Sequence, residues 1–310
     1  MALWLTVTLA LALAALLVFM PSRAVGPAMI RLPKPISLPR HVQPALSTYA
    51  TQLAPPAQRV SVAIRRPVSS GLLFDVSSGR VLWERNPGQT LPIASLTKMM
   101  TALVVVAHAP PDAPVLITPD AIHYAGSGVG LLPLGKHVPL ESLLYGLLLP
   151  SGNDAAIALA EHVGHTQLHF IAMMNARARQ LGLRCSHFDT PSGIVDQGNY
   201  SCVSDLATLA HDVLMQPRLA HIVASRSAIL PFPIKGGKLY LYNNNPFLLM
   251  RYPGADGVKT GYTQAAGQCL VVTARRGRTW LGVVLLHSAN PIVQAQRLLD
   301  LGFARPQSSP

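Results

Sequence analysis

Three short polar motifs, far apart in the chain, contain residue types that can perform nucleophilic chemistry. The first is Ser95-x-x-Lys98. If a helix begins at Ser95, the Lys98 amine lies on the same face as the serine hydroxyl and within reach of it. Burial or a neighbouring cation lowers the pKa of such an amine and lets it act as a general base. The alternative is a helix N-cap followed by a solvated lysine, and the motif alone favours this alternative.

The second motif is Ser151-x-Asn153, between an apolar run and an Ala-rich segment. A hydroxyl and an amide two residues apart on a loop can face one cleft. The alternative is again a helix cap, and the same pattern recurs at Ser288-x-Asn290.

The third motif is Lys259-Thr260-Gly261, beside a predicted strand. A cation, a hydroxyl and a residue without a side chain suit a carboxylate that lies along a strand edge. The alternative is a simple turn. This tripeptide is rarer than the other two motifs, so it adds most to the functional interpretation.

In this order, the three motifs resemble those of serine penicillin-binding proteins and class A β-lactamases. Their surroundings are similar to the low-molecular-mass D-alanyl-D-alanine carboxypeptidases over about residues 60–304. The segments that carry this narrower resemblance are residues 92–102, 150–156, 187–193 and 256–263.

The resemblance implies a serine-type D-Ala-D-Ala carboxypeptidase that removes the terminal D-alanine from peptidoglycan stem peptides and is inhibited by β-lactams. It implies Ser95 as nucleophile, Lys98 as general base and Ser151 as proton relay, without cofactor or metal. It implies that the backbone N–H groups of Ser95 and Tyr262 form the oxyanion hole. The substrate-binding residues it implies are Asn153, Lys259, Thr260, Gly261 and Tyr262.

Several alternatives stay open. A D,D-endopeptidase that cleaves peptidoglycan cross-links uses the same nucleophile, and a non-hydrolysing wall-binding or β-lactam-sensing module keeps the same fold. The class A β-lactamase interpretation is weaker, because Glu161 is the only glutamate between the second and third motifs and is not in a Glu-x-x-x-Asn pattern. Residues 193–196 contain one residue more than the family's usual Gly-Leu-Asp. Residues 243–245 are all asparagine where some members have a basic residue.

Composition excludes other classes of protein. Of 310 residues, 50% are hydrophobic and 12% charged, against a usual charged share of about 25%. A disordered chain lacks that much apolar material, and three cysteines are too few for a disulfide scaffold. The net charge of +12 favours an anionic partner such as a wall polymer or lipid head groups. Scattered basic residues and 6% aromatics argue against nucleic acid.

The N-terminal region predicts export. Residues 2–20 are uncharged and without a polar stripe, which is typical of a signal peptide or an N-terminal membrane anchor. Small residues at Ser22 and Ala24 favour cleavage, but the run is long enough to span a bilayer. Eight prolines within 21–56 predict a stiff tether. We therefore expect an extracytoplasmic protein, in the periplasm or cell wall space, with any membrane attachment through its N-terminus; the oligomeric state stays open.

The spacing of apolar residues predicts the strands and helices that position the three motifs. Alternation predicts strands at 60–65, 71–76, 80–84, 268–275 and 279–287. Helical spacing predicts helices at 95–107, 140–149, 154–163, 167–181, 205–215 and 293–301. This order predicts an α/β (α+β) fold, an antiparallel sheet built from both chain ends and flanked by helices, with an all-helical subdomain. The resemblance implies its β-lactamase/transpeptidase-like version. We divide the chain into signal or anchor (1–24), Pro-rich linker (25–58), penicillin-binding peptidase domain (59–305) and tail (306–310).

The remaining candidates are cysteines and histidines. Cys185 and Cys202 flank one loop and can form a disulfide outside the cytoplasm, whereas Cys269 is predicted to be a small core residue. His162 and His165 have helical spacing, but without a nearby third ligand we expect them to be solvated or capping residues.

Overall fold

The computed structural model describes residues 49–63, 68–130 and 132–305. Its strands are β1 (Gln52–Leu53), β2 (Ser70–Asp75), β3 (Arg80–Arg85), β4 (Leu91–Pro92), β5 (Pro114–Leu116), β6 (His137–Pro139), β7 (Tyr200–Ser201), β8 (Ser227–Pro231), β9 (Lys238–Tyr242), β10 (Ala255–Thr263), β11 (Gly267–Arg276) and β12 (Thr279–Ser288). Its α-helices are α1 (Lys98–His108), α2 (Pro119–Ile122), α3 (Leu140–Leu148), α4 (Asn153–Gly164), α5 (Gln167–Gln180), α6 (Val203–Met215), α7 (Pro217–Ala224), α8 (Pro246–Leu249) and α9 (Pro291–Phe303).

Six strands form one sheet in the order β1-β3-β2-β12-β11-β10. All neighbours are antiparallel except β1 and β3. Strands from the N-terminal part therefore pair with strands from the C-terminal part at the β2–β12 junction, which confirms the predicted sheet. The turn between β2 and β3 contains Gly79 at φ +74°, a conformation that glycine adopts without strain.

The sheet is buried on both faces, so strand β12 is apolar along its length. Leu281, Val283 and Leu285 pack with helix α9, whereas Val284 and Leu286 face the core formed with the other helices. The period-2 alternation of a strand sends successive side chains to opposite faces. Helix α9 thus covers one face and α6 the other, and the helical subdomain, formed by α1, α3, α4 and α5, packs on α6 through α1. The predicted helices are all present, with ends shifted by a few residues.

The first strand of the domain differs from the prediction. Residues 60–63 form no strand, and 64–65 lie outside the described residues. The edge of β3 pairs instead with β1, where Gln52 lies opposite Arg80, and Val60 adds one backbone hydrogen bond to Leu82. The folded part therefore begins by residue 49, within the stretch predicted as linker, because edge strand β3 takes its partner from there.

Three further elements were not predicted, and one of them, strand β10, carries part of the site. The hairpin β8–β9 and helix α7 join the helical subdomain to strand β10. Strand β10 is nine residues long and contains the Lys259-Thr260-Gly261 motif, which the sequence placed only beside a strand. Glycine and aspartate are poor strand formers, so the sequence of β10 has a weak strand propensity. Pairing with β11 determines its structure.

The predicted signal or anchor (1–24), most of the linker and the tail (306–310) lie outside the described residues. Within residues 49–63, 68–130 and 132–305, no helix combines the length and the apolar character that a bilayer crossing requires.

Candidate active site

Ser95 lies in a tight turn that leads into helix α1. Residues Ala94–Thr97 form a 3₁₀ helix directly before α1, and residues three apart in such a helix are eclipsed. The Lys98 amine therefore meets the Ser95 hydroxyl, at 2.9 Å from Nζ to Oγ. Ala94 takes a left-handed φ of +47°, strained for a residue with a side chain. The Ser95-x-x-Lys98 contact predicted from sequence is present.

Lys98 is fully buried and its Nζ has three polar partners. Besides Ser95 Oγ, its Nζ donates to Asn153 Oδ1 at 2.6 Å and to the Ser192 carbonyl oxygen at 2.8 Å. Burial lowers the pKa of the Lys98 amine well below its usual value, and the nearby Lys259 ammonium lowers it further. A neutral amine at physiological pH is what a general base requires.

The Ser192 carbonyl lies in the loop of residues 187–193. This segment resembles the family, but the sequence predicted no role for it. Next to it, the Pro191 carbonyl oxygen accepts from Thr101 Oγ1 on α1 at 2.6 Å. Gly193 packs so closely on the nucleophile turn that a Cβ there would lie 2.0 Å from the Ala94 oxygen. Glycine is required at this contact, and the loop thereby fixes the turn and the base together.

Asn153 and Ser151 meet the same cleft from the start of helix α4. The Asn153 amide accepts from Lys98 and donates Nδ2–H to the Ala125 carbonyl at 2.5 Å. It therefore orients the base in addition to any contact with substrate. Ser151 has φ +71°, and its Oγ is buried without a hydrogen-bond partner among the described residues. A buried hydroxyl left unpaired is available for a reacting group.

Asp154, the next residue, is a part of the site that the motifs do not reveal. Its buried carboxylate accepts from the backbone N–H groups of Val129 at 2.8 Å and Gly130 at 3.0 Å. Burial raises the pKa of this carboxyl group. Asp154 thus ties the preceding loop to the start of helix α4, where a negative charge is favourable.

Strand β10 closes the cleft at the edge of the sheet. Gly261 lies against the nucleophile turn, since a Cβ there would be 3.2 Å from Ser95 N and 3.1 Å from the Ile93 oxygen. Lys259 is buried and its Nζ donates to the Thr260 carbonyl at 2.9 Å. Burial lowers the pKa of the Lys259 amine to about 7. The third motif thus stands beside Ser95, as its predicted role requires, whereas Tyr262 is 68% exposed at the rim.

The asparagine stretch of residues 243–245 also reaches this strand. Thr260 Oγ1 donates to Asn244 Oδ1 at 2.8 Å, and Asn244 N donates to the Leu149 carbonyl at 3.1 Å. An uncharged amide thus lies beside the predicted carboxylate site. On the other side, Thr263 Oγ1 donates to Asp196 Oδ1 at 2.5 Å, so the extra residue of 193–196 is accommodated in a loop bound to β10.

Other candidates lie elsewhere in the fold. Asn290 caps helix α9, its Oδ1 accepting from Val293 N, and Ser288 Oγ accepts from Asn290 N. Glu161 is eight residues beyond Asn153 on α4, about 12 Å along the axis, and accepts from Thr118 Oγ1 at 2.6 Å. It is therefore not placed to activate a water at Ser95.

The histidine pair lies at that far end of α4 as well. His162 and His165 line a separate cavity of about 530 Å³ together with Glu161. Within the described residues, the only group of three potential metal-binding side chains is Cys185, Cys202 and Asp205. Since both of these cysteines are in a disulfide, they offer no thiolate to a metal.

Cys185 and Cys202 form a disulfide with a sequence separation of 17. It closes the loop that carries Ser192, which contacts Lys98. Cys269 is buried in β11, which confirms its predicted place in the core.

Replacing both Cys185 and Cys202 with alanine is expected to lower the free energy of unfolding by about 3 kcal/mol, because a loop of this length gains that much freedom in the unfolded chain. Thermal unfolding of the double variant and the wild type measures the difference. Reduction with dithiothreitol should lower the Tm of the wild type and leave that of the double variant unchanged. Equal responses of both proteins would contradict a stabilising disulfide.

Comparison with known proteins agrees with this geometry. Residues 59–290 match the D-alanyl-D-alanine carboxypeptidase family. The chain is 36% identical over 252 residues to D-alanyl-D-alanine carboxypeptidase DacB2 of Mycobacterium tuberculosis, covering 78% of this chain and 85% of that protein. It is 31% identical over 249 residues to DacF of Bacillus subtilis, covering 78% of this chain and 63% of that protein.

Solved structures show the same similarity. The DD-transpeptidase of Streptomyces K15 superposes with a TM-score of 0.72 at 32% identity, over 78% of this chain and all of that one. A D-alanyl-D-alanine carboxypeptidase from M. tuberculosis H37Rv gives a TM-score of 0.73 at 33% identity, over 81% of this chain and 98% of that one. The predicted fold class is therefore confirmed.

Proposed function

The chain belongs to the D-alanyl-D-alanine carboxypeptidase family of serine peptidases, and from that premise we propose that it removes the terminal D-alanine of peptidoglycan stem peptides through an acyl-enzyme on Ser95. The observation that carries the proposal is the hydrogen bond of 2.9 Å between Ser95 Oγ and a fully buried Lys98 amine. A hydroxyl and an amine in such contact form the nucleophile–base pair of covalent catalysis.

Acylation begins when the neutral Lys98 amine takes the proton of Ser95. A neutral amine has two N–H bonds and one lone pair. The carbonyl oxygens of Asn153 and Ser192 accept both N–H bonds, so the lone pair points to Ser95 Oγ. The oxygen then bonds to the carbonyl carbon of the D-Ala-D-Ala peptide, and the negative oxygen that develops is held by the backbone N–H groups of Ser95 and Tyr262, each worth about 3 kcal/mol.

Collapse of this intermediate breaks the peptide bond and requires a proton on the departing amine. The proton on Lys98 passes through Ser151 Oγ, whose hydroxyl has no other partner in the described part of the cleft. D-Alanine leaves, and a water molecule hydrolyses the acyl-enzyme by the same steps in reverse. A β-lactam acylates Ser95 in the same way, with its amide bond taking the place of the peptide bond.

The terminal carboxylate binds beside strand β10. Lys259 supplies the positive charge and Thr260 the hydroxyl, while Asn244 contributes an uncharged amide. With a pKa of about 7, Lys259 is protonated below that pH, and a bound carboxylate raises its pKa further. Asn153 contacts the acyl side of the peptide through the second lone pair of its carbonyl oxygen.

The test is turnover of diacetyl-Lys-D-Ala-D-Ala, followed by release of free D-alanine, in parallel with cleavage of purified cross-linked muropeptide dimers. We expect D-alanine release, with slower cleavage of dimers. Faster cleavage of dimers would favour the D,D-endopeptidase. Acylation by penicillin without turnover of either substrate would favour a β-lactam-sensing module and contradict the proposal.

We also propose that the protein acts outside the cytoplasm. The disulfide between Cys185 and Cys202 supports this location, because such bonds persist in oxidising compartments. The uncharged run of residues 2–20 supports export, either as a cleaved signal or as an anchor. N-terminal sequencing of the mature protein distinguishes the two.

A further inference from the structure

Of the three consecutive asparagines, two are buried supports and the middle one is exposed. Asn243 and Asn245 are 3% and 1% exposed. The Asn243 amide donates to the Ser225 carbonyl at 2.9 Å, and Asn245 Oδ1 accepts from Phe247 N at 3.0 Å. Asn244 lies between them with an exposed side chain. Because its buried neighbours fix the backbone, Asn244 is held in place from both sides.

Asn244 contacts the third motif through its side-chain oxygen. Asn244 Oδ1 accepts from Thr260 Oγ1 at 2.8 Å, and the Asn244 backbone N–H donates to the Leu149 carbonyl at 3.1 Å. A hydroxyl has one hydrogen to donate, so in this contact Thr260 retains only oxygen lone pairs for a ligand. Asn244 keeps both N–H bonds of its amide. This corner of the cleft therefore offers a ligand an acceptor on Thr260 and a donor group on Asn244.

Little positive charge is fixed at this corner. Within the described part of the chain, the cationic side chains that hydrogen-bond to a motif residue are Lys98 and Lys259. Lys98 is neutral when it acts as the base. Burial lowers the pKa of Lys259 to about 7, so this amine is charged in about half of the molecules near that pH. Asn244 adds no charge, whereas an arginine in its place would stay charged at every physiological pH.

A primary carboxamide is complementary to these groups. Its oxygen accepts and its N–H bonds donate, whereas a carboxylate only accepts. The Asn244 N–H bonds suit the oxygen of either group, but the lone pairs of Thr260 suit only the carboxamide. We infer that the cleft takes peptides whose terminal D-alanine carries a carboxamide as well as those with a free carboxylate, and that Asn244 determines this tolerance. The inference rests on the proposed function, which places the end of the peptide beside Thr260.

The reaction of such a peptide breaks the same bond as that of the free acid. Ser95 Oγ bonds to the carbonyl carbon of the penultimate D-alanine, and the C–N bond to the last residue breaks. The departing amine receives the proton of Lys98 through Ser151 and leaves as D-alaninamide. Water then releases the acyl group, so the carboxamide itself is not hydrolysed.

The experiment compares kcat/KM for diacetyl-Lys-D-Ala-D-Ala with kcat/KM for the same peptide ending in a carboxamide. We expect the wild type to prefer the acid by no more than about tenfold, the factor for one charge-assisted hydrogen bond. Asn244→Arg should raise this ratio by about tenfold or more, because a guanidinium binds a carboxylate with two hydrogen bonds and keeps its charge. Turnover of the acid shows that this variant is folded.

Two matched controls separate the charge at position 244 from other effects. Asn244→Gln keeps an uncharged amide at the same position. Gln296→Arg adds the same charge as Asn244→Arg at an exposed position on α9, which covers the other face of the sheet. Both controls should keep the ratio of acid to carboxamide within about twofold of the wild-type ratio, since neither places a cation beside Thr260.

Binding to the Ser95→Ala protein separates the inference from the proposed function, because calorimetry gives the Kd of each peptide without turnover. If the wild type cleaves neither peptide, the proposed function is wrong. In that case Kd values that agree within about tenfold uphold the inference, and binding of the acid alone or of neither peptide overturns it. A wild-type preference for the acid above about tenfold, or an Asn244→Arg ratio equal to the wild-type ratio, also overturns it.

Discussion

The Ser95→Ala variant is expected to lose D-alanine release by a factor of about 10⁴ or more, down to the background of the assay. The reason is that no other hydroxyl in the cleft contacts the Lys98 amine, as far as the described residues show. Without Ser95 Oγ the proposed acyl-enzyme cannot form, because no nucleophile is left to attack a substrate bound in the cleft. Release of D-alanine from diacetyl-Lys-D-Ala-D-Ala measures the loss.

The control measurement for Ser95→Ala is the free energy of unfolding. Ser95 is only partly buried, and its hydroxyl makes one hydrogen bond with Lys98, so the free energy of unfolding should change by about 1 kcal/mol or less. A variant that retains its Tm and loses turnover identifies a chemical role. Turnover that persists above about one tenth of the wild-type rate would contradict the assignment of the nucleophile.

The Lys98→Met variant is expected to acylate with benzylpenicillin about 10²–10⁴ times more slowly, because the general base is gone while the side-chain volume is kept. Removing the buried amine leaves the Asn153 and Ser192 oxygens without a donor, at about 1–3 kcal/mol. The variant also avoids the free-energy cost of burying an amine, and this gain in stability offsets the loss. Lys136→Met, at an exposed position, is the matched control and should acylate at the wild-type rate.

The pH profile of acylation gives a readout that a structural defect does not change. Lys98 must be neutral to accept a proton, so the rate should rise with pH through its lowered pKa. Lys259 must be protonated to hold a carboxylate, so the rate should fall above its pKa of about 7. These opposite requirements on the two amines give the wild type a bell-shaped profile. Lys98→Met should lose the rising limb; if it keeps that limb, Lys98 is not the base.

Sequence analysis located the residues that converge in the cleft better than it located the segments that hold them in place. Ser95, Lys98, Asn153 and Lys259 could be found because each lies in a short motif whose spacing reflects a local contact or a family pattern. The sheet could be found because β2, β11 and β12 are largely apolar and a turn at Gly79 places β3 next to β2. These elements are determined by residues close in the chain, where periodicity and turn residues are informative.

What sequence analysis missed depends on contacts between distant segments. The Ser192 carbonyl binds Lys98 through its backbone, so its side chain gives no signal. Asp154 resembles an ordinary residue in the first turn of a helix, and its role depends on the approach of the loop at Val129. Strand β10 has the composition of a turn and is a strand because β11 lies beside it. In each case the role depends on contacts with residues that are distant in the sequence, which local sequence patterns do not reveal.

Ser95 is the residue that becomes acylated in the proposed mechanism, and peptide mapping by mass spectrometry after incubation with benzylpenicillin tests this assignment most directly. We predict one adduct per chain, located on the peptide that contains Ser95 and absent from the Ser95→Ala protein. An unmodified wild-type chain, or an adduct mapped to Ser151 or to another residue, would contradict the account.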